Sequence, residues 1–166
     1  MPKPLEVALP SDREVRVTRS FEAPRNLVWD AHTRPELIRK WMLGPPGWSM
    51  PVCEMDLREG GAYRWRWKSD EDGKEFGFFG VFEELIPPAK LVHEERYDPG
   101  DIGGAMSTEP AIVASEFSES DGVTTLAVTM LFPSKEARDG ALATGMTGGM
   151  EIGYARLDEM FEAKAA

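Results

Sequence analysis

From residue 49 to about residue 132 the sequence repeatedly alternates and turns, and it then ends in one long helical stretch. Strands joined by short turns pair antiparallel. A sheet built that way has an apolar face to bury, and only the last helix is long enough to cover it. The clearest strand is 62–68 (AYRWRWK), where Tyr63, Trp65 and Trp67 share one face and Arg64, Arg66 and Lys68 the other. Further strands are predicted over 14–22, 49–57, 75–85, 91–97, 111–117 and 124–132. Ser120-Asp121-Gly122 is a hairpin turn, and the Gly- and Asp-rich segment 98–108 reads as a mobile loop.

Two short helices interrupt this pattern after the first strand. Leu27, Val28 and Ala31 recur at helical spacing behind Pro24. Thr33-Arg34-Pro35-Glu36 has the spacing of a capping box and opens a second helix through Trp41. At the other end Ser134 is the expected N-cap of a helix running unbroken to about residue 162. Three prolines in 1–12 predict a flexible N-terminal arm, which leaves 13–166 as one domain.

Length and charge narrow the function classes. A chain of 166 residues can bury roughly two-thirds of its unfolded surface, so it needs neither disulfide nor metal to fold. Lys and Arg number 19 against 29 Asp and Glu, a net charge of −10 that disfavours nucleic acid and anionic membranes as partners. The start of the chain lacks a signal-type apolar core, and no run of 18 apolar residues occurs. The single cysteine, Cys53, forms no intramolecular disulfide, and a cytoplasmic location is expected. His32, His93 and Cys53 show no metal-ligand spacing, so neither a metal nor a cofactor is expected.

Three features carry a functional reading. Gly145, Gly149 and Gly153 stand at i, i+4 and i+8, on one face of the expected last helix, with Gly148 nearby. Each interior glycine costs a helix roughly 0.8–1 kcal/mol relative to alanine. The stripe therefore serves either close packing on the sheet or empty volume for a ligand, with Met146 and Met150 as an adaptable apolar wall. The aromatic residues on 62–68 and those at Phe76 and Phe78 either fill a core or line a pocket. Leu91, His93, Glu95 and Tyr97 share a strand face, with His93 and Glu95 about 7 Å apart. In an apolar interior Glu95 would resist ionisation and His93 would stay neutral, a pair able to hold a polar ligand group or do acid–base work. At a sheet edge the same two residues would be only a solvated or ion-paired couple.

The runs RSFEAPRNLVWDAHTRPELIRKWM, CEMDLREGGAYRWRW, FGVFEELIPPAKLVHEERYD and TTLAVTMLFPSKEARDGAL with GMTGGMEIGYARLDEMF occur in that order. Together they resemble the START-like, or SRPBCC, superfamily. Within it they look most like the branch related to the C-terminal domain of the activator of the heat-shock protein 90 ATPase. The likeness spans about residues 13–162. It implies an α+β helix-grip (START/Bet v 1-like) fold, a curved antiparallel sheet wrapped on a long C-terminal helix. It also implies a cavity lined by Trp41, Trp48, Tyr63, Trp65 and Phe78, by His93 and Glu95, and by Met146, Gly149, Met150 and Tyr154. The leading expectation is the binding of a small hydrophobic or amphipathic molecule there, with a homodimer left open. A polyketide cyclase- or hydrolase-type enzyme using His93 and Glu95 is one alternative. A protein-interaction module that stimulates a chaperone ATPase is the other.

Overall fold

The computed structural model describes residues 4–103 and 109–165. In chain order these form β1 (Glu6–Ala8), β2 (Glu14–Phe21), α1 (Arg25–Thr33), α2 (Pro35–Trp41), β3 (Trp48–Met55), β4 (Ala62–Ser69), β5 (Glu75–Ile86), β6 (Lys90–Asp98), β7 (Ala111–Ser120), β8 (Val123–Leu131), α3 (Lys135–Ala143) and α4 (Met146–Ala165). The strands make one curved, unclosed antiparallel sheet in the order β1-β2-β8-β7-β6-β5-β4-β3. This is the helix-grip architecture expected from the sequence.

Register puts the apolar sets of all the central strands on one face, because residues directly opposite in neighbouring strands point the same way. Val15 faces Met130, Met130 faces Val113, and Val113 faces His93. His93 lies across from Phe82, and Trp65 across from Phe78 on one side and Cys53 on the other. Val15, Val17, Phe21, Tyr63, Trp65, Phe82, Leu126 and Leu157 are buried together as one core beneath α4. The hairpin turn between β7 and β8 has positive φ at both Asp121 and Gly122, the geometry whose twist matches antiparallel strands.

The concave face also carries Arg19, 3% exposed and clasped by two carboxylates of α4. Its guanidinium Nη2 donates to Glu151 Oε1 at 2.8 Å and to Asp158 Oδ2 at 2.7 Å. Glu151 and Asp158 are seven residues apart, two turns along α4, so one cation fixes a long stretch of helix against β2. Burial alone would lower the Arg19 pKa, but the hydrogen bonds to Asp158 and Glu151 carry it upward. The opposite flank of α4 is fixed by α2. There Gly153 lies against Trp41, and Arg156 Nη1 donates to the Trp41 carbonyl at 3.3 Å.

Three sequence readings need correction. The C-terminal helix is not continuous: α3 ends at Ala143 and α4 begins at Met146, with Gly145 between them at φ +79°. Gly145 is thus a left-handed helix stop and leaves the proposed stripe. The N-terminal arm is not wholly loose, since residues 6–8 pair with 16–18 of β2, and the Leu5 amide donates to Glu151 at 3.1 Å. The capping box before α2 does not form. Thr33 closes α1 instead, its hydroxyl donating back to the Trp29 carbonyl at 2.9 Å. On the convex face, where alternation put it, Arg66 bonds Asp98 at 2.5 Å and Glu75 at 3.1 Å. Of the expected mobile loop, residues 104–108 lie outside the described residues, as do residues 1–3 of the arm. The part at 98–103 is tied down: the Asp101 amide donates to the Glu75 carbonyl at 2.8 Å, and Tyr97 Oη donates to the Gly103 carbonyl at 2.8 Å.

Candidate functional site

The concave face holds a polar cluster set in aromatic rings. Tyr63 and Trp65 project from β4 with ring centroids 4.5 Å apart. His93 projects from β6, 5.2 Å from Tyr63 and 6.0 Å from Trp65. Period-two alternation along each strand places them on this face, and the β4-β5-β6 pairing brings the two strands within reach.

Hydrogen-bond accounting separates these groups. Tyr63 is satisfied, since its hydroxyl donates to the Glu94 carbonyl at 2.6 Å. Trp41 and Trp67 are satisfied too, their indole N–H groups donating to Ala31 O at 2.8 Å and Met42 O at 2.7 Å. Trp65 Nε1 and His93 Nδ1 have no partner, although their residues are only 8% and 6% exposed. Most buried polar atoms find a partner, and one left without costs about 1–3 kcal/mol. Burial holds the His93 ring neutral down to about pH 4. Two residues along β6, burial pushes the Glu95 carboxyl up to about 7, yet this residue retains some accessible surface. Glu95 lies across from the buried Ala111 of β7, so it belongs to the same interior face.

The inward stripe of α4 packs into the core, with Tyr154 and Phe161 edge-on to Phe21 of β2 at 5.4 and 5.9 Å. Met146 and Met150 pack on the core, followed by the buried Tyr154, Leu157 and Phe161. The two glycines left in the stripe differ sharply. A Cβ on Gly153 would stand 3.2 Å from the Trp41 ring and 3.3 Å from its carbonyl oxygen. A Cβ on Gly149, one turn earlier on the same side, would meet nothing within 4 Å. Close packing therefore holds at Gly153, while the Gly149 position borders open space.

The other expected site residues fall into separate groups. Trp41 and Tyr154 stack at 5.8 Å between α2 and α4, wedged under Gly153. Trp48 lies at the edge strand β3, 5.4 Å from Phe76. Phe78 sits between Trp67 and Tyr97, at 5.9 and 5.6 Å. Cys53 is buried, with its thiol pushed up by burial. Among the described residues no group of three or more His, Cys, Asp or Glu side chains could hold a metal ion. No helix among them is long and apolar enough to cross a membrane.

The family model for the Activator of Hsp90 ATPase homolog 1-like protein matches residues 22–162. The chain belongs to this family. No functionally curated protein matches it. Among solved structures, a Rhodobacter sphaeroides protein is similar at 28% identity and TM-score 0.87, over 97% of this chain and 99% of that one. Proteins from Nitrosomonas europaea (22% identity, TM-score 0.79, 95% and 99% covered) and Mycobacterium smegmatis (21%, 0.80, 96% and 96%) share the fold.

Within this Activator of Hsp90 ATPase homolog 1-like chain, sequence reasoning passed over His32. Its Nδ1 bonds the Val28 carbonyl at 2.7 Å, which leaves Nε2 buried and unpartnered, and burial lowers its pKa to about 4. The ring sits 4.9 Å from Trp41 and 5.3 Å from Phe117. A signal was present in the sequence: His32 follows Val28 by four residues, which places it on the inward side of α1. Alternation along 14–22 sets Arg19 on the side of Val15 and Val17, but its two partners lie 132 and 139 residues away in sequence, beyond the reach of local pattern.

Proposed function

We propose that this protein binds a small hydrophobic or amphipathic molecule between the concave face of the sheet and the N-terminal half of α4. One observation carries the proposal: Trp65 Nε1 and His93 Nδ1 lie buried on the same face with no partner in the protein. The polar end of a ligand would supply the missing partners while its apolar body packed against Trp65, Phe78 and the α4 methionines. Apolar pockets with a few convergent polar groups are the usual form of small-molecule sites. The open position at Gly149 supports the reading, since it leaves α4 thin beside the methionines. Met146 and Met150 are the side chains that shift to admit a guest, because unbranched thioethers repack at little cost. A cytoplasmic location suits a protein with one buried thiol.

The test is a pair of variants, Gly149→Leu and Gly148→Leu, titrated with the uncharged dye Nile red. Both gain helix propensity, and neither Cβ meets a neighbour within 4 Å, but Gly148 is exposed and Gly149 half-buried. Gly149→Leu is expected to weaken dye binding about tenfold or more while Gly148→Leu leaves it unchanged. Equal binding by both variants would reject the site. Stimulation of a chaperone ATPase by the unliganded protein would favour the family's namesake activity instead.

A further inference from the structure

The charge layout of the interior says what kind of polar group it takes. We infer that it selects an uncharged ligand bearing a hydrogen-bonding oxygen, a carbonyl or hydroxyl, over a carboxylate on the same apolar body; this rests on the pocket reading above. Four observations converge on it.

Trp65 Nε1–H can only donate, so the group that meets it must accept. His93 Nδ1 lies on the same sheet face two strands away, with its ring 6.0 Å from Trp65. A neutral imidazole nitrogen donates or accepts according to tautomer, so a carbonyl or a hydroxyl satisfies it equally.

A carboxylate would need a cation. Among the described residues, Arg19 is the one Lys or Arg that the concave strand positions carry, and Glu151 and Asp158 already occupy its fork. Arg66 is consumed on the convex face by Glu75 and Asp98. Buried Arg138 on α3 bonds Asp139 and the Ser11 carbonyl. The inward stripe of α4, from Met146 to Phe161, holds no basic side chain. Arg39, exposed on α2, hydrogen-bonds Cys53 of β3, three strands away from His93.

Glu95 adds a penalty to that lack of a cation. It lies two residues beyond His93 on the same face, about 7 Å along the strand. A second carboxylate in this interior would face the first across protein rather than water, and like charges so placed repel. A carbonyl or hydroxyl meets no such penalty.

The experiment is competition for Nile red at about pH 8 by a methyl ketone and a carboxylic acid built on one identical alkyl chain. The ketone is expected to displace the dye at a concentration about tenfold or more below the acid. Trp65→Phe keeps the ring and removes the N–H, so the ketone should lose most of that advantage while the dye still binds. Glu95→Gln should improve the acid and leave the ketone unchanged. An acid that competes as well as the ketone overturns the inference and leaves the pocket standing. Failure of both competitors against a dye that Gly149→Leu expels does the same. Absence of dye binding removes the pocket and the inference together.

Discussion

Glu95→Gln gives the sharpest energetic test of the interior. Burial raises this carboxyl from its ordinary value near 4.5 to about 7. Each pH unit of separation corresponds to about 1.4 kcal/mol, so forcing the charge into the fold costs about 3 kcal/mol. The sign follows from which state lets go of its proton first. Unfolded chains lose it above about 4.5 while the folded protein keeps it until about 7. Stability therefore falls across that window as pH rises and is level above it. His32 and His93 act in the opposite direction. The unfolded chain protonates them below about 6.5 while the fold refuses the proton until about 4, so they lose stability as pH falls. Glutamine removes only the carboxyl's part. Urea unfolding followed by tryptophan fluorescence, run on both proteins between about pH 4.5 and 8, isolates it. The variant is expected to gain about 3 kcal/mol on the wild type across that range. A difference that stays constant with pH would show that Glu95 is solvated, and would remove the polar end of the proposed pocket.

Other consequences are open to direct test. Arg19→Ala strands Glu151 and Asp158 against the sheet, and breaking a buried ion pair on one side costs about 3–5 kcal/mol, read as a lowered urea midpoint. Gly149→Ala should stabilise α4 by nearly 1 kcal/mol, since its Cβ meets no neighbour and alanine is the better helix former. Gly153→Ala should gain less or lose outright, because its Cβ presses on the Trp41 ring and carbonyl at 3.2–3.3 Å; thermal melts of the pair compare them. Equal gains at both positions would mean that the contact with Trp41 is loose.

Much of the fold is written locally. AYRWRWK declares its two faces through alternation, and Ser134 caps α3 as expected, its Oγ accepting from the Ala137 amide at 3.0 Å. The aromatic face of β4 and the pairing of His93 with Glu95 along β6 are legible for the same reason. What the sequence hides is long-range or conformational. Gly145 looks like the first member of a helical stripe, but its left-handed φ ends a helix, and spacing does not encode φ. All of the aromatic candidates looked alike until backbone carbonyls claimed some of them. Trp41 and Trp67 are bonded to Ala31 and Met42, and Tyr63 to Glu94. Only this sorting leaves Trp65, among the described residues, as the indole whose buried N–H has no partner. The strand at residues 6–8 went unseen because three residues flanked by prolines carry little periodicity.

The indole N–H resonances in a ¹H–¹⁵N spectrum address the site most directly. Trp41 and Trp67 serve as internal references, being already bonded to Ala31 O and Met42 O. In the free protein the Trp65 signal, assigned through Trp65→Phe, should lie upfield of both. Adding a long-chain methyl ketone should move it downfield while those two stay in place. A Trp65 signal that begins downfield with the others and ignores the ketone would mean that its N–H is already satisfied, and that no guest is held there.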